Sequence, residues 1–138
     1  MVNNAIRLLP KLIAPNPLTD TNRKIAGPIY DLALVQAAVA QHGVYVINDS
    51  AQHHMVHSFT PELDEEELAA FILALTPVHF HASEWCQTSV KMKIDCDAYA
   101  MKWDRMNRLE WKYADEIYVK FGFKERHPVC IIVRVHPS

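Results

Sequence analysis

Apolar residues recur at helical spacing early in the chain, between residues 30 and 43. They fall three or four positions apart, Asp31 places a negative charge at the positive end of the helix dipole, and Gly43 ends the periodic pattern. A β-branched and aromatic run at 44–47 follows, bounded by turn residues. The pattern therefore predicts one helix followed directly by a short strand.

Two further helices are predicted before Pro77. The first is a short segment at 51–56, with Asp49 or Ser50 as its N-terminal cap. The second begins at the Thr-Pro pair 60–61, because proline fits the first position of a helix, and the acidic residues that follow load the positive end of its dipole. Leucine, isoleucine and phenylalanine then give this helix one apolar face.

The second half of the chain changes to the two-residue alternation of strands. Apolar and polar side chains alternate at 90–99, at 117–124 and at 129–136. The segment at 104–116 is polar and predicts a long loop or an irregular hairpin, and the short connection at 125–128 pairs the last two strands antiparallel. The predicted fold is an α+β domain, with N-terminal helices packed on a C-terminal antiparallel sheet.

Length and composition favour one domain with a separate lead-in. Residues 1–28 hold four of the eight prolines and little periodicity, so we expect an irregular N-terminal arm followed by a single domain at 29–138. The three cysteines fit neither a disulfide framework nor a paired metal knuckle, which favours a reducing cytoplasm. No apolar run approaches the roughly 18 residues needed to cross a bilayer, so no membrane partner is expected.

The net charge of −2 conceals two halves of opposite sign. Residues 1–90 hold four basic and nine acidic residues, whereas residues 91–138 hold ten basic and seven acidic residues. The helical half is therefore acidic and the sheet half is basic. Because cations interleaved with tryptophan and tyrosine are typical of surfaces that bind unpaired nucleotides, the near-neutral total does not exclude an RNA partner.

The last two strands bring ionisable side chains to one face of the sheet. A turn centred near 125–126 would place Tyr118 opposite residue 133 or 134. Four side chains then share a face: Tyr118, Lys120, Arg134 and His136. A phenol, two cations and an imidazole can handle a phosphodiester, since a cation balances phosphorane charge and histidine moves protons near neutral pH. The competing interpretation is an ordinary solvent-exposed sheet face.

Eight histidines raise the question of a metal site. His53 and His57 lie four positions apart on a predicted helix, and His79 and His81 lie two apart near the start of a strand. Neither pair comes with the further cysteine or carboxylate ligands that a complete zinc site requires. We therefore predict no metal and no other cofactor, and we interpret His81 as an acid or base at the rim of the sheet.

Five short strings carry a resemblance to a known family. They are the start of the first helix at 30–36, the helix-to-sheet junction at 75–80, the Asp-Ala-Tyr string at 97–99, the Tyr-Val-Lys strand at 117–121 and the terminal strand at 131–136. In this order they resemble the MqsR family, the motility quorum-sensing regulator toxins of bacterial type II toxin–antitoxin modules. The resemblance covers about residues 30–138. It implies a RelE-like fold, metal-free cleavage of messenger RNA by attack of the 2′-hydroxyl on the adjacent phosphate, and an antitoxin partner.

The catalytic residues of that family map onto this chain position by position. Its strand tyrosine matches Tyr118, and its C-terminal lysine falls on His136, beside Arg134. Its junction lysine falls on Ala82, next to a histidine, and its glutamine falls on Cys96. The resemblance and the shared sheet face together indicate four candidate catalytic residues: Tyr118, His136, Arg134 and His81.

The predicted function is a metal-independent endoribonuclease toxin, an mRNA interferase, that acts in the cytoplasm on single-stranded or ribosome-associated mRNA and is neutralised by an antitoxin. Its predicted RNA-binding cations are Lys120, Lys91, Lys93, Lys102 and Arg105. The replacements at Ala82 and Cys96 favour an alternative, a catalytically inactive homologue of the same fold that binds an antitoxin or RNA. A zinc-dependent protein that uses the histidine pairs is the third hypothesis.

Overall fold

The computed structural model describes residues 6–89 and 92–138. This part of the chain forms three α-helices and a mixed seven-stranded sheet, so the predicted α+β class is confirmed. In chain order the elements are β1 (Lys24–Ile25), α1 (Leu32–His42), β2 (Val44–Val46), α2 (Asp49–His57), α3 (Glu65–Ala74), a 3₁₀ turn (Pro77–His79), β3 (Phe80–Ser89), β4 (Met92–Asp104), β5 (Leu109–Glu110), β6 (Glu116–Gly122) and β7 (Cys130–Pro137). No helix in these two stretches is long and apolar enough to cross a membrane.

The strands of the main sheet lie in the order β1-β3-β4-β6-β7-β2, and β5 pairs with the far end of β4. Neighbouring strands are antiparallel except for β2, which runs parallel to β7. The helices do not all precede the sheet, because β1 comes before α1 and β2 separates α1 from α2. The expected order of helices first and sheet second is therefore replaced by an interleaved one.

Side-chain caps determine where the first two helices begin. Asp31, predicted only to place negative charge near the first turn, also caps α1 by accepting hydrogen bonds from two backbone N–H groups of that turn. Gly43 ends α1 with a φ of 73°, as the sequence predicts. Helix α2 is capped by Asn48 and not by Asp49 or Ser50. The reason is that α2 begins at Asp49 itself, earlier than the apolar pattern indicates.

Helix α3 begins later than the Thr-Pro pair at 60–61 predicts. Asp64 caps it by accepting a hydrogen bond of 2.7 Å from the Glu67 N–H, and glutamates fill the first turn, where the helix dipole favours them. The preceding Leu63 is buried, and its N–H donates to the Met55 carbonyl at 2.8 Å. This contact holds the chain against α2, so α3 starts only after Leu63.

The long strands β3 and β4 differ from the sequence pattern in extent. Strand β4 continues from the predicted segment at 90–99 to Asp104. Strand β5 pairs antiparallel with the end of β4, so the segment at 104–116 contains the irregular hairpin that the sequence predicts as the alternative to a long loop. The pattern does not predict β3, because two register shifts interrupt its alternation, one after Phe80 and one after Gln87. Irregular pairing of this kind removes the two-residue period by which a strand is detected in a sequence.

The two faces of the sheet are unlike. The face that packs against α1 and α3 buries the main apolar core, and we call it the helix-covered face. On this face, β4 carries Asp95, Asp97 and Tyr99, all buried although the alternation predicts a polar solvent-exposed surface there. They are buried because β4 lies inside the sheet and the arm and helices cover it. The opposite face, which we call the open face, carries Tyr118, Lys120, Arg134 and His136.

The N-terminal arm is anchored to the sheet by ionic and main-chain contacts. The Arg7 guanidinium lies 2.5 Å from the Asp95 carboxylate, and both side chains are almost buried. Asp97 accepts hydrogen bonds from the Ile29 N–H at 2.9 Å and from the Ser83 hydroxyl at 2.6 Å. Further along the arm, β1 pairs with the outer edge of β3. Residues 6–28 of the arm therefore lie against the sheet, although most of them lack regular secondary structure.

Candidate functional site

The paired strands β6 and β7 build the centre of the candidate site. Tyr118 lies directly opposite His136, and Lys120 lies directly opposite Arg134. The predicted shared face is therefore present, but Tyr118 pairs two or three residues further along β7 than the sequence indicates. The turn is centred near residue 127, not at 125–126, and a bulge follows Lys120.

Three aromatic rings lie side by side on the open face. The rings of Tyr118 and His136 are stacked, with centroids 4.7 Å apart and an interplanar angle of 16°. On its other side, Tyr118 meets His81 edge to face, with ring centroids 5.6 Å apart. The ring of His54, from α2, lies 6.0 Å from that of His136. The structure thus places the tyrosine between two imidazoles and brings in a third that the sequence pattern does not indicate.

A hydrogen bond within the chain selects the tautomer of His136. Its Nδ1 lies 2.8 Å from the Pro137 carbonyl oxygen. Because a carbonyl oxygen only accepts hydrogen bonds, Nδ1 carries the proton in the neutral ring, and Nε2 then presents a lone pair. His136 is therefore arranged to take a proton through Nε2. Burial raises the pKa of the neighbouring Tyr118 phenol, which stays neutral and remains a hydrogen-bond donor at neutral pH.

Lys120 is a buried member of an ion pair and not an exposed cation. Its Nζ lies 2.5 Å from the Glu84 carboxylate, and the lysine side chain is only 2% exposed. Burial is the largest single influence and lowers the pKa of Lys120, but the hydrogen bond to Glu84 and the charges of Cys86, Tyr118 and Glu84 together outweigh it, so the pKa lies above its ordinary value. Most of the lysine charge is therefore balanced by Glu84, which limits what Lys120 alone can contribute to binding a phosphate.

A polar cavity of about 380 Å³ opens beside the His136 ring. Its wall is formed by residues of β3, β6, β7, α2 with its N-terminal cap, and the arm: Arg23, Asn48, Ser50, Ala51, His54, Glu84, Cys86, Gln87, Lys120, Val133, Arg134 and His136. A hydrogen bond from the Cys96 thiol, together with Lys120, lowers the pKa of Cys86 to about 7. The cavity therefore presents a thiol that is partly ionised at neutral pH beside several cations.

The other predicted RNA-binding cations divide into separate groups. Lys93 lies on the helix-covered face and donates to the Pro15 carbonyl at 2.8 Å. Arg105 binds both oxygens of Glu67, at 2.6 and 2.9 Å, and so fastens β4 to α3. Neither residue contributes to the open face, because each is held by a structural partner. Lys102 is exposed towards the end of β4, and Lys91 lies outside the described residues.

The histidine pairs are also placed differently from one another. The rings of His53 and His57 lie 4.3 Å apart on α2. His79 accepts a hydrogen bond from the Thr76 N–H, and its other ring nitrogen lies 2.7 Å from the Glu110 carboxylate. His81 instead contacts the Tyr118 ring, so the two histidines do not form a joint site. Within residues 6–89 and 92–138, no group of three or more histidine, cysteine or carboxylate side chains could hold a metal ion.

Sequence reasoning misses three residues of this site: Arg23, His54 and Cys86. They come from the arm, α2 and β3, and no local spacing links them, so only the folded chain brings them together. The assembled site has a proton acceptor at His136, a second imidazole at His81 and a guanidinium at Arg134 with no hydrogen bond or ion pair to any described residue. Such a set can move protons and balance the charge of an oxyanion without a metal. No family model, curated protein or solved structure matches this chain.

Proposed function

We propose that the protein is a metal-independent endoribonuclease, and that it acts as an mRNA interferase toxin of the MqsR type with a RelE-like domain. The observation that carries the proposal is the stack of Tyr118 on His136, with His81 on the other side of the tyrosine. Two imidazoles on one exposed face are what acid–base cleavage of RNA requires, since one takes a proton while the other supplies one.

The proposed reaction starts at the 2′-hydroxyl of the RNA. His136 Nε2 takes the hydroxyl proton, and the oxygen attacks the adjacent phosphorus. The bond to the 5′ oxygen then breaks, and the His81 imidazolium protonates that leaving oxygen, giving a 2′,3′-cyclic phosphate and a 5′-hydroxyl. Arg134 balances the charge that builds up on the phosphorane, and Tyr118 holds the His136 ring in place by stacking.

Exposed aromatic residues near the end of β4 support an RNA substrate. Trp111 and Tyr113 are 49% and 71% exposed, and the Lys112 ammonium lies 4.9 Å from the centre of the Tyr113 ring. Exposed rings beside cations stack on unpaired bases. We infer that the substrate is single-stranded or ribosome-associated mRNA in the cytoplasm, and that an antitoxin protein neutralises the enzyme by covering this face.

Expression of the chain alone in a bacterium tests the proposal. We expect growth arrest and degradation of mRNA, with relief by His136→Ala, which removes the proton acceptor, or by Tyr118→Phe, which keeps the stacked ring but removes the phenol hydrogen-bond donor. In the purified protein, His136→Ala should lower the cleavage rate about a hundredfold or more. His127→Ala is the matched control for His136→Ala, since His127 is exposed and belongs to neither the ring stack nor the wall of the neighbouring cavity.

Two results would contradict the proposal. Unimpaired growth with intact transcripts, at good soluble expression, would exclude the nuclease and leave the alternative of an inactive homologue that binds an antitoxin or RNA. Cleavage that disappears in EDTA and returns with a divalent cation would instead show that the reaction requires a metal. We expect the rate in EDTA to equal the rate without it.

A further inference from the structure

The cavity beside His136 carries more positive than negative charge. Its wall holds three cations, Arg23, Lys120 and Arg134, against one carboxylate, Glu84. The lysine and the carboxylate form a close pair, so the two arginines remain in excess. A half-open polar cavity with this balance is suited to an anionic group of small size.

Main-chain hydrogen bonds to β3 hold Arg23 in place, and its side chain makes no hydrogen bond of its own within the described residues. Its carbonyl accepts a hydrogen bond of 2.8 Å from the Trp85 N–H, next to the pairing of β1 with β3. Its guanidinium makes no hydrogen bond with any described residue, and its nearest carboxylate oxygen, on Glu84, is 3.7 Å away. The buried Nε of Arg23 also lacks a partner among those residues. Arg23 thus has only a loose ion pair with Glu84, and its five N–H donors make no hydrogen bond within the described residues.

Arg134 faces the same cavity from β7. Its side chain is exposed, and it makes neither a hydrogen bond nor an ion pair with the described residues. A guanidinium binds phosphate through a planar fork of N–H donors, and two such groups at one cavity can share the oxygens of one phosphate. Asp49, the acidic residue at the start of α2, does not line the cavity, although its neighbours Asn48 and Ser50 do.

We propose that this cavity binds a phosphate group, with Arg23 and Arg134 as its two guanidinium ligands. The second part of the proposal rests on the proposed endoribonuclease function: the bound group is then an RNA phosphate next to the one that is cleaved. Arg134, with five N–H donors, contacts both phosphates, whereas Arg23 contacts only the neighbouring one. His136 connects the two positions, because it lines the cavity and stacks on Tyr118. The N-terminal arm accordingly supplies a substrate-binding residue as well as structural contacts.

Inorganic phosphate tests the cavity without RNA. We expect phosphate to shift the imidazole NMR signals of His54 and His136 in the wild-type protein, and Arg23→Gln to weaken this binding about tenfold, as loss of one charge-assisted contact predicts. Lys11→Gln is the matched control, because it removes a cation from the same arm that pairs with Glu125 away from the cavity. Equal phosphate affinity in wild type and Arg23→Gln, or no shift in the wild type, would overturn the proposal.

A single-stranded RNA with 2′-O-methyl groups tests the second part, because the blocked hydroxyl cannot attack and only binding is measured. By fluorescence anisotropy, we expect Arg23→Gln to weaken binding about tenfold and to lower the salt slope by about 0.7, as for one lost phosphate contact, while Lys11→Gln changes neither. Cleavage of unmodified RNA is measured separately. RNA binding that is identical in Arg23→Gln would refute the RNA assignment even if the wild type cleaves RNA, whereas tight binding without cleavage would refute only the nuclease.

Discussion

The helix-covered face and the open face of the sheet treat their polar side chains in opposite ways. On the helix-covered face, Asp97 is fully buried, yet its carboxylate accepts hydrogen bonds from the backbone N–H groups of Ile29 and Tyr30, just after the arm, and from the Ser83 hydroxyl. On the open face, the Arg134 guanidinium contacts no acceptor among the described residues. His136 donates from Nδ1 to the Pro137 carbonyl, and its Nε2 has no hydrogen-bond partner among those residues.

The number of hydrogen bonds that a polar side chain makes within the protein distinguishes residues that stabilise the fold from residues that can bind a ligand. A buried polar group that is saturated by the protein's own donors contributes to folding, because breaking those contacts leaves several groups unpaired. A polar group at a cavity wall whose N–H donors make no hydrogen bond within the protein can bind a ligand that supplies the acceptor. The Glu84–Lys120 pair lies between these cases, because the two opposite charges balance each other while both side chains form part of the cavity wall.

The largest expected effect is on the helix-covered face. Asp97→Ala should lower the free energy of unfolding by about 3–5 kcal/mol, because three buried donors lose their acceptor at once. Urea unfolding followed by circular dichroism measures this change. Asp115→Ala, at an exposed aspartate, should change stability by less than about 0.5 kcal/mol. If the two variants lose a similar free energy of unfolding, the three hydrogen bonds to the Asp97 carboxylate do not contribute the stability that we assign to them.

A smaller effect is expected at the ion pair of the open face. Glu84→Gln should lower the free energy of unfolding by about 2 kcal/mol, because it leaves the almost buried Lys120 ammonium without its carboxylate. The double variant Glu84→Gln with Lys120→Met should recover most of that loss in the same urea experiment. If the double variant is as unstable as the sum of the two single variants, the side chains are not energetically coupled.

The smallest expected effect is on the reactivity of two cysteine thiols, one on each face of the sheet, and it involves no change in stability. The pKa of Cys86 is lowered to about 7, whereas burial raises that of Cys130, which belongs to the helix-covered core. Alkylation of Cys86 by iodoacetamide should therefore accelerate as the pH rises through about 7, with Cys130 unmodified until the protein unfolds. Mass spectrometry of digests distinguishes the two. Cys130 reacting first in folded protein would contradict the assignment of the faces.

Local chemistry allowed part of this molecule to be predicted. The ends of α1 follow from Asp31 and Gly43, since capping and a positive φ depend on adjacent residues. Strand β3 escaped prediction because its register shifts remove the alternation. The buried state of Asp95 and Asp97 also escaped, because alternation along one strand does not reveal what lies over it.

For the candidate site, the sequence by itself determined that Tyr118 shares a face with Lys120 and that Arg134 shares a face with His136, because residues two apart in a strand point to the same side. The register of β6 against β7, with its bulge after Lys120, then placed both pairs on one face. Only the tertiary structure decided that Lys120 is paired with Glu84 and that Arg23 and His54 join the same cavity. These contacts join segments far apart in the chain. They depend on the order of strands and the path of the arm, which are determined by burial of the whole core and leave no local signal in the sequence.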